Sequence, residues 1–243
     1  MTQKAIIWLI GMEVITLSQM YHFLITREKC TITLPPPNFN GHDYVDLGLP
    51  SHTLWATQNV GARKPSDYGL YFAWGDAQGY SADQIGNGEG QKKFSEDYSD
   101  YKWYLSGTID ENNLKFTKYT TPGAILDLED DAAHVHMGGD WHMPTPNQFQ
   151  ELLDNTTSTL TTRGGVNGRL FTSKNGKSIF IPAAGTAENG VVDNSGDFGD
   201  VWSSMLYAEG VDNAKYLEFG PENAGGLYSY YRHVGYSVRG VIG

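Results

Sequence analysis

The sequence predicts a mixed α+β domain preceded by an apolar helix, and three observations predict it. Short apolar segments rich in Tyr, Trp, Val and Ile recur between Gly-, Pro- and Asn-rich turns, which is the pattern of short strands. Thr145-Pro146 opens a segment in which Phe149, Leu152 and Leu153 share one helical face. A proline triplet, Pro35-Pro36-Pro37, separates the apolar first thirty residues from everything after it.

The chain has 243 residues, which suits one large domain, or a domain with an extension, and allows a sizeable core. Its 29 glycines and 10 prolines predict many loops, while 40% hydrophobic residues with 13% aromatics are too many for a disordered chain. A formal net charge of −11 excludes nucleic acid as a partner, because phosphates would be repelled over most of the surface. The single cysteine, Cys30, excludes a disulfide framework and a cysteine-based zinc site.

Residues 5–25 are mostly apolar, follow Lys4 and precede Arg27-Glu28-Lys29. Their length approaches a membrane span, but Glu13, Gln19 and His22 are each costly in hydrocarbon. No small-residue cleavage site follows, and Arg-Glu-Lys before Cys30 is unlike a lipoprotein signal. Residues 1–30 are therefore expected to form a helix serving as an anchor, an export signal or an assembly helix. Membrane contact would come only through this segment. Residues 31–41 form the Pro-rich linker, and residues 42–243 the domain.

Within the domain, Tyr44 to Leu49 and Thr53 to Ala56 predict two strands around a Gly-Leu-Pro-Ser turn. Tyr71-Phe72-Ala73-Trp74 is a further apolar segment, and residues 79–107 read as a long polar, aromatic loop region. Asp130-Asp131-Ala132-Ala133 predicts a short helix with acids at its N-terminus. Ile179 to Pro182 and Val201 to Ser204 predict buried strands. In Lys215 to Phe219, alternation turns Leu217 and Phe219 to the core, and Tyr216 and Glu218 to the opposite face. Trp55, Trp74, Trp141, Trp202, Leu217, Phe219 and Val238 are the expected core. No internal repeat is present.

Several segments closely resemble the Fibrobacter succinogenes major paralogous domain family, found in gut Bacteroidetes and their phages. They are YVDLGLPSHTLWATQNVGARKPSDYGLYFAWGDA, LEDDAAHVHMGGDWHMPTPNQFQELLDN, SIFIPAAG, VWSSMLY and GYSVRGV, in the family's order from about Gly41 to the C-terminus. The resemblance implies a C-type-lectin-like fold with two helices, small antiparallel sheets and long loops. Variable proteins of diversity-generating retroelements share that fold and bind ligand through a C-terminal segment. Here that segment would be Trp202-Ser203-Ser204 and the stretch from Arg232 to Arg239. The chain departs from the family at Gln58, where Cys is common, and at His136-Met137, where Asn-Trp is common.

The tail carries Tyr207, Tyr216, Tyr228, Tyr230, Tyr231 and Tyr236 among Ser, Gly and Asn. Such a mixture supplies rigid ring area with adaptable hydrogen bonds, as binding surfaces do, although Tyr is also favoured in strands. The expected ligand-binding residues are Tyr207, Asp212, Asn213, Tyr216, Glu218, Asn223, Tyr228, Tyr230, Tyr231, His233 and Tyr236. Glu209, Asp212, Glu218 and Glu222 make the face acidic, which suits a neutral or basic partner.

No catalysis and no cofactor are expected. No Gly-x-Ser-x-Gly, Walker loop or paired-carboxylate motif occurs. Gly139 to Thr145 resembles an element of sulfatase-modifying factors, but those enzymes need a cysteine that the domain does not have. Calcium-dependent C-type lectins bind sugar through a Glu-Pro-Asn or Gln-Pro-Asp loop and a Trp-Asn-Asp strand. The chain has Trp202-Ser203-Ser204 and Gly220-Pro221-Glu222-Asn223 instead, so too few oxygens remain for calcium. Glu129, Asp130 and Asp131 could hold a structural calcium or form a solvated helix start, and His134, His136 and His142 read as a surface cluster; no required metal is expected.

The expected function is a non-enzymatic module at the cell surface or outside it, on a bacterial envelope or virion. It would bind a protein or glycan through its C-terminal segment, diversified by a retroelement if the resemblance extends that far. The alternative is a structural tip or spacer of a surface assembly, with the tyrosines packed on sister subunits in an oligomer.

Overall fold

In a computed structural model, residues 37–105 and 116–243 are described. The first strands are β1 (Asn38–Phe39), β2 (His42–Asp46) and β3 (Leu54–Asn59). After a long loop region come helices α1 (Ala132–Met137) and α2 (Pro146–Asn155). Strands β4 (Thr156–Arg163), β5 (Val166–Ser173), β6 (Ser178–Pro182), β7 (Thr186–Glu188) and β8 (Val191–Asp193) follow. The chain closes with β9 (Gly199–Leu206), β10 (Asn213–Phe219), β11 (Gly226–Tyr231) and β12 (Arg239–Ile242). The architecture is thus mixed α+β, with small antiparallel sheets and two α-helices among the described residues.

The helices follow from their caps. At α2 the Thr145 hydroxyl accepts from the Gln148 N–H at 3.2 Å, and Gln148 Oε1 accepts from the Thr145 N–H at 2.9 Å. This reciprocal box, with Pro146 in the first turn, satisfies donors that no helical carbonyl can reach. Phe149 and Leu152 are buried, and the Phe149 ring lies 5.7 Å from that of Trp55. In α1 the Asp131 carboxylate caps the His134 N–H at 2.9 Å, and Gly138 at φ 67° ends the helix.

Four sheets result, in the orders β1-β2-β3-β12, β11-β10-β9, β4-β5-β6 and β7-β8. Strand β12 pairs with β3, with Val241 opposite Trp55, so the two ends of the described domain are stitched together. The segment Tyr71 to Trp74 is not a strand. It makes single bridges, Tyr71 to Tyr80 and Phe72 to Tyr236. The long loop region is packed rather than merely solvated: Phe94, Tyr98 and Tyr101 are buried with Tyr71 and Ala187.

Sheet β11-β10-β9 lies between two parts of the core. Trp202, Ala214 and Tyr216 join Trp74, Trp141 and Val238 on one side, while Val201, Leu217 and Phe219 join Trp55, Phe149 and Phe171 on the other. All seven expected core residues are buried. Each large apolar side chain so placed contributes roughly 1.5–3 kcal/mol of transfer free energy. Gly199 is small by necessity, because a Cβ there would lie 2.0 Å from the Phe219 ring.

The described residues belong to one unit, Pro36–Gly243, whose boundary falls inside the proline triplet. The expected apolar helix at residues 1–30 lies outside the described residues. Among those described, no helix is long and apolar enough to cross a membrane.

Candidate functional site

The tail folds as a hairpin whose second strand is, among the described residues, the edge of its sheet. In β10 and β11, Asn213 faces Tyr231, Ala214 faces Tyr230 and Tyr216 faces Tyr228. Strand β11 is Gly-Leu-Tyr-Ser-Tyr-Tyr, without the charges or proline that usually blunt an edge. It presents Tyr228, Tyr230 and Tyr231 to solvent at 43%, 36% and 42% exposure. The Tyr230 and Tyr231 rings lie 5.2 Å apart, edge to face.

Three of the expected contact residues are interior ones. Tyr216, His233 and Tyr236 are buried, which corrects their assignment to the surface. Alternation did turn Tyr216 away from Leu217, but the sheet has core on both faces, so that direction leads into a second apolar layer. There Tyr216 lies 5.9 Å from Trp202 and 6.2 Å from Tyr228, while Tyr236 lies 4.3 Å from Trp202. Tyr230 stacks on Tyr236 at 6.5 Å. The exposed rings are therefore the rim of a stack of aromatics whose inner members are core.

The remaining expected residues are half-buried, and most are held. Tyr207 donates to Glu209 at 2.9 Å and carries Lys215 Nζ over its ring at 4.8 Å. Tyr216 donates to Glu218 at 3.0 Å, and Asn223 donates to the Tyr228 hydroxyl at 3.2 Å. Asp212 accepts the Arg232 N–H through its carbonyl at 2.9 Å. Asn213 Oδ1 is buried without a hydrogen bond. Burial, reinforced by Glu218 and Asp200, pushes the Tyr216 phenol well above its ordinary range. Burial likewise pushes the Asp200 carboxyl up to about 7, although the Thr186 hydroxyl donates to it at 2.9 Å.

Two buried arginines frame the tail, and strand alternation marks neither as a structural residue. Arg232, directly after Tyr231, bonds the Tyr101 hydroxyl at 2.7 Å and the carbonyls of Tyr119 and Val211 at 3.0 Å each. Its guanidinium lies 4.3 Å from the Phe116 ring centre. Arg239 bonds Asn59 Oδ1 at 3.0 Å and the carbonyls of Ala56 and Phe180 at 2.9 Å each. The signal was an arginine among buried-type residues with no acidic neighbour in sequence, such as Arg239 between Val238 and Val241.

The candidate metal residues are otherwise engaged. His134, His136 and His142 meet the carbonyls of Trp141, Ala77 and Asp140 respectively, so each ring has its own partner. Asp131 is used as a cap and accepts the Met143 N–H at 2.8 Å, so it does not join Glu129 and Asp130. Asp127 takes its place, giving the one group with metal-like spacing among the described residues. Lys118 Nζ sits within it, 2.8 Å from Asp127, 2.9 Å from Glu129 and 2.6 Å from Asp130, and Lys102 adds a contact to Asp130 at 2.8 Å. An ammonium thus fills the place a cation would take. What the tail surface offers is ring area, hydroxyls and carboxylates, a set suited to recognition. No family model, curated protein or solved structure matches the chain.

Proposed function

We propose that the chain is a non-enzymatic ligand-binding module of the C-type-lectin-like kind, displayed on a bacterial or phage surface. It meets a protein or glycan through the exposed edge of the C-terminal hairpin. The observation that carries this reading is the exposure of Tyr228, Tyr230 and Tyr231 together on a strand that, among the described residues, is the unpaired edge of its sheet. Exposed aromatics seldom cluster on a surface without a partner, and tyrosine is a frequent interface anchor. Tyr216, His233 and Tyr236 support the face from beneath rather than touching ligand. The resemblance of the chain's segments to the Fibrobacter family supports the fold and the surface setting.

The test replaces Tyr228, Tyr230 and Tyr231 together with Ala and measures capture of surface proteins and glycan arrays. Binding should fall by about tenfold or more with an unchanged melting temperature. Equal binding by the variant and the parent would reject the reading. The same strand edge also favours a second reading, a spacer subunit paired edge to edge with a sister copy. Sedimentation of the full chain separates the two, because a spacer would be a tyrosine-dependent oligomer.

A further inference from the structure

We infer that the Tyr231 end of β11 is a seat for a guanidinium or alkylammonium group on a basic segment of a partner protein. The inference rests on the binding-face reading above and narrows it. Tyr230 and Tyr231 offer two exposed rings 5.2 Å apart at an angle of 63°, an open corner of electron-rich faces. Acidic residues lie near that corner. Glu188 ends β7, and with Glu96 its charge adds to burial in raising the Tyr230 phenol. Glu96 is fixed by Asn189, whose Oδ1 accepts the Glu96 N–H at 3.1 Å. Asp212 lies beside Asn213, the strand partner of Tyr231.

None of these three acids forms an ion pair with Lys or Arg among the described residues. The contrast with the other acidic group is informative. There the chain supplies Lys118 to three carboxylates, and here, among the described residues, neither Lys nor Arg pairs with them. A second, independent sign is His233, 2% exposed, with neither ring nitrogen hydrogen-bonded. Its Nε2 aims at Glu188 Oε1 from 3.5 Å, and its ring lies 5.8 Å from Tyr231. The imidazole backs the carboxylate from the interior, and an incoming cation would hold it from outside.

The occupant follows from charge. A neutral sugar leaves the acids uncompensated, and a second copy brings the same acids on a chain of net charge −11. A basic polypeptide supplies both the cation and the extended backbone that an unpaired edge accepts.

The experiment titrates the full chain with a capped peptide of alternating Gly and Arg, a matching Gly-Glu peptide, and maltoheptaose. Calorimetry is run at about 0.15 M salt, where long-range attraction is screened. The Arg peptide alone should bind. Glu188→Gln and the double variant Tyr230→Leu, Tyr231→Leu should each weaken it by about tenfold, while Asp140→Asn, at an exposed acid outside the hairpin, should not. Melting curves check that each variant is folded. No Arg-peptide binding, or equal losses in Glu188→Gln and Asp140→Asn, overturns the cation seat. Tyrosine-dependent binding of maltoheptaose without the Arg peptide overturns it as well, and leaves the broader binding-face reading standing.

Discussion

The rings of Tyr216 and Tyr236 lie 4.8 Å apart at an angle of 40°, so two tail tyrosines that read as surface residues pack on each other inside the domain. This contact separates the tyrosines that hold the hairpin from those that can meet a partner.

Tyr216→Ala should therefore act on stability, whereas Tyr231→Ala should act on binding alone. Emptying a buried aromatic site costs roughly 3–5 kcal/mol, and trimming an exposed one stays within about 0.5 kcal/mol. Urea denaturation of both variants decides the matter. Similar midpoints for the two would contradict the burial of Tyr216.

Arg239→Met should destabilise the domain by about 3 kcal/mol, even though a buried charge is lost. Burial alone pulls the Arg239 guanidinium down to about 9, so its charge is held at a cost. Its removal strands the Ala56 and Phe180 carbonyls and Asn59 Oδ1. Arg239→Lys should recover little, because one ammonium cannot span three divergent acceptors. Full stability in Arg239→Lys would show that charge, not the planar fork, is what the site uses.

Asp200 predicts a pH dependence of definite sign. With its folded value near 7 against an ordinary 3.8, the fold binds the proton more tightly than the unfolded chain does. Its stabilising contribution is complete below about pH 4, declines as pH rises towards 7, and is gone above that, a change of up to roughly 4 kcal/mol. Asp200→Asn should flatten the decline between about pH 4 and 7. Melting temperatures of both proteins across that range measure it, and parallel curves would count against a protonated Asp200.

Lys118→Met should make the domain responsive to calcium. The wild type, with its ammonium among Asp127, Glu129 and Asp130, should melt at the same temperature with calcium or with a chelator. The variant should melt lower in chelator and recover when calcium is added, because three carboxylates are left facing one another. A wild-type melting temperature that drops on chelation would show a bound ion displacing the lysine.

Much of the frame was legible because it depends on local chemistry. Thr145 with Pro146 marks a helix start, Asp131 before two alanines marks another, and the alternation in β10 aims Leu217 and Phe219 correctly. Tyr216 was misread for a reason that no strand pattern reveals. Alternation distinguishes two faces but does not say whether the far face meets water or a second core layer. Edge position decides that for Tyr228, Tyr230 and Tyr231, and it depends on sheet order, which single strands do not encode. Lys118 is similarly distant from any motif, since its pairing with Asp130 arises from the path of a long loop.

Arg232 follows Tyr231 immediately, and its guanidinium is locked by four hydrogen bonds, among them those to Tyr101 and Tyr119, and packs against the Phe116 ring. The exposed strand is thus moored at its end by a residue that cannot shift without unmaking the core. A partner docking on Tyr230 and Tyr231 would spend little entropy ordering the backbone beneath them. The same mooring would let the outward side chains of β11 be exchanged one for another while the scaffold keeps its shape, so a module that binds through them could change its ligand without relearning how to fold.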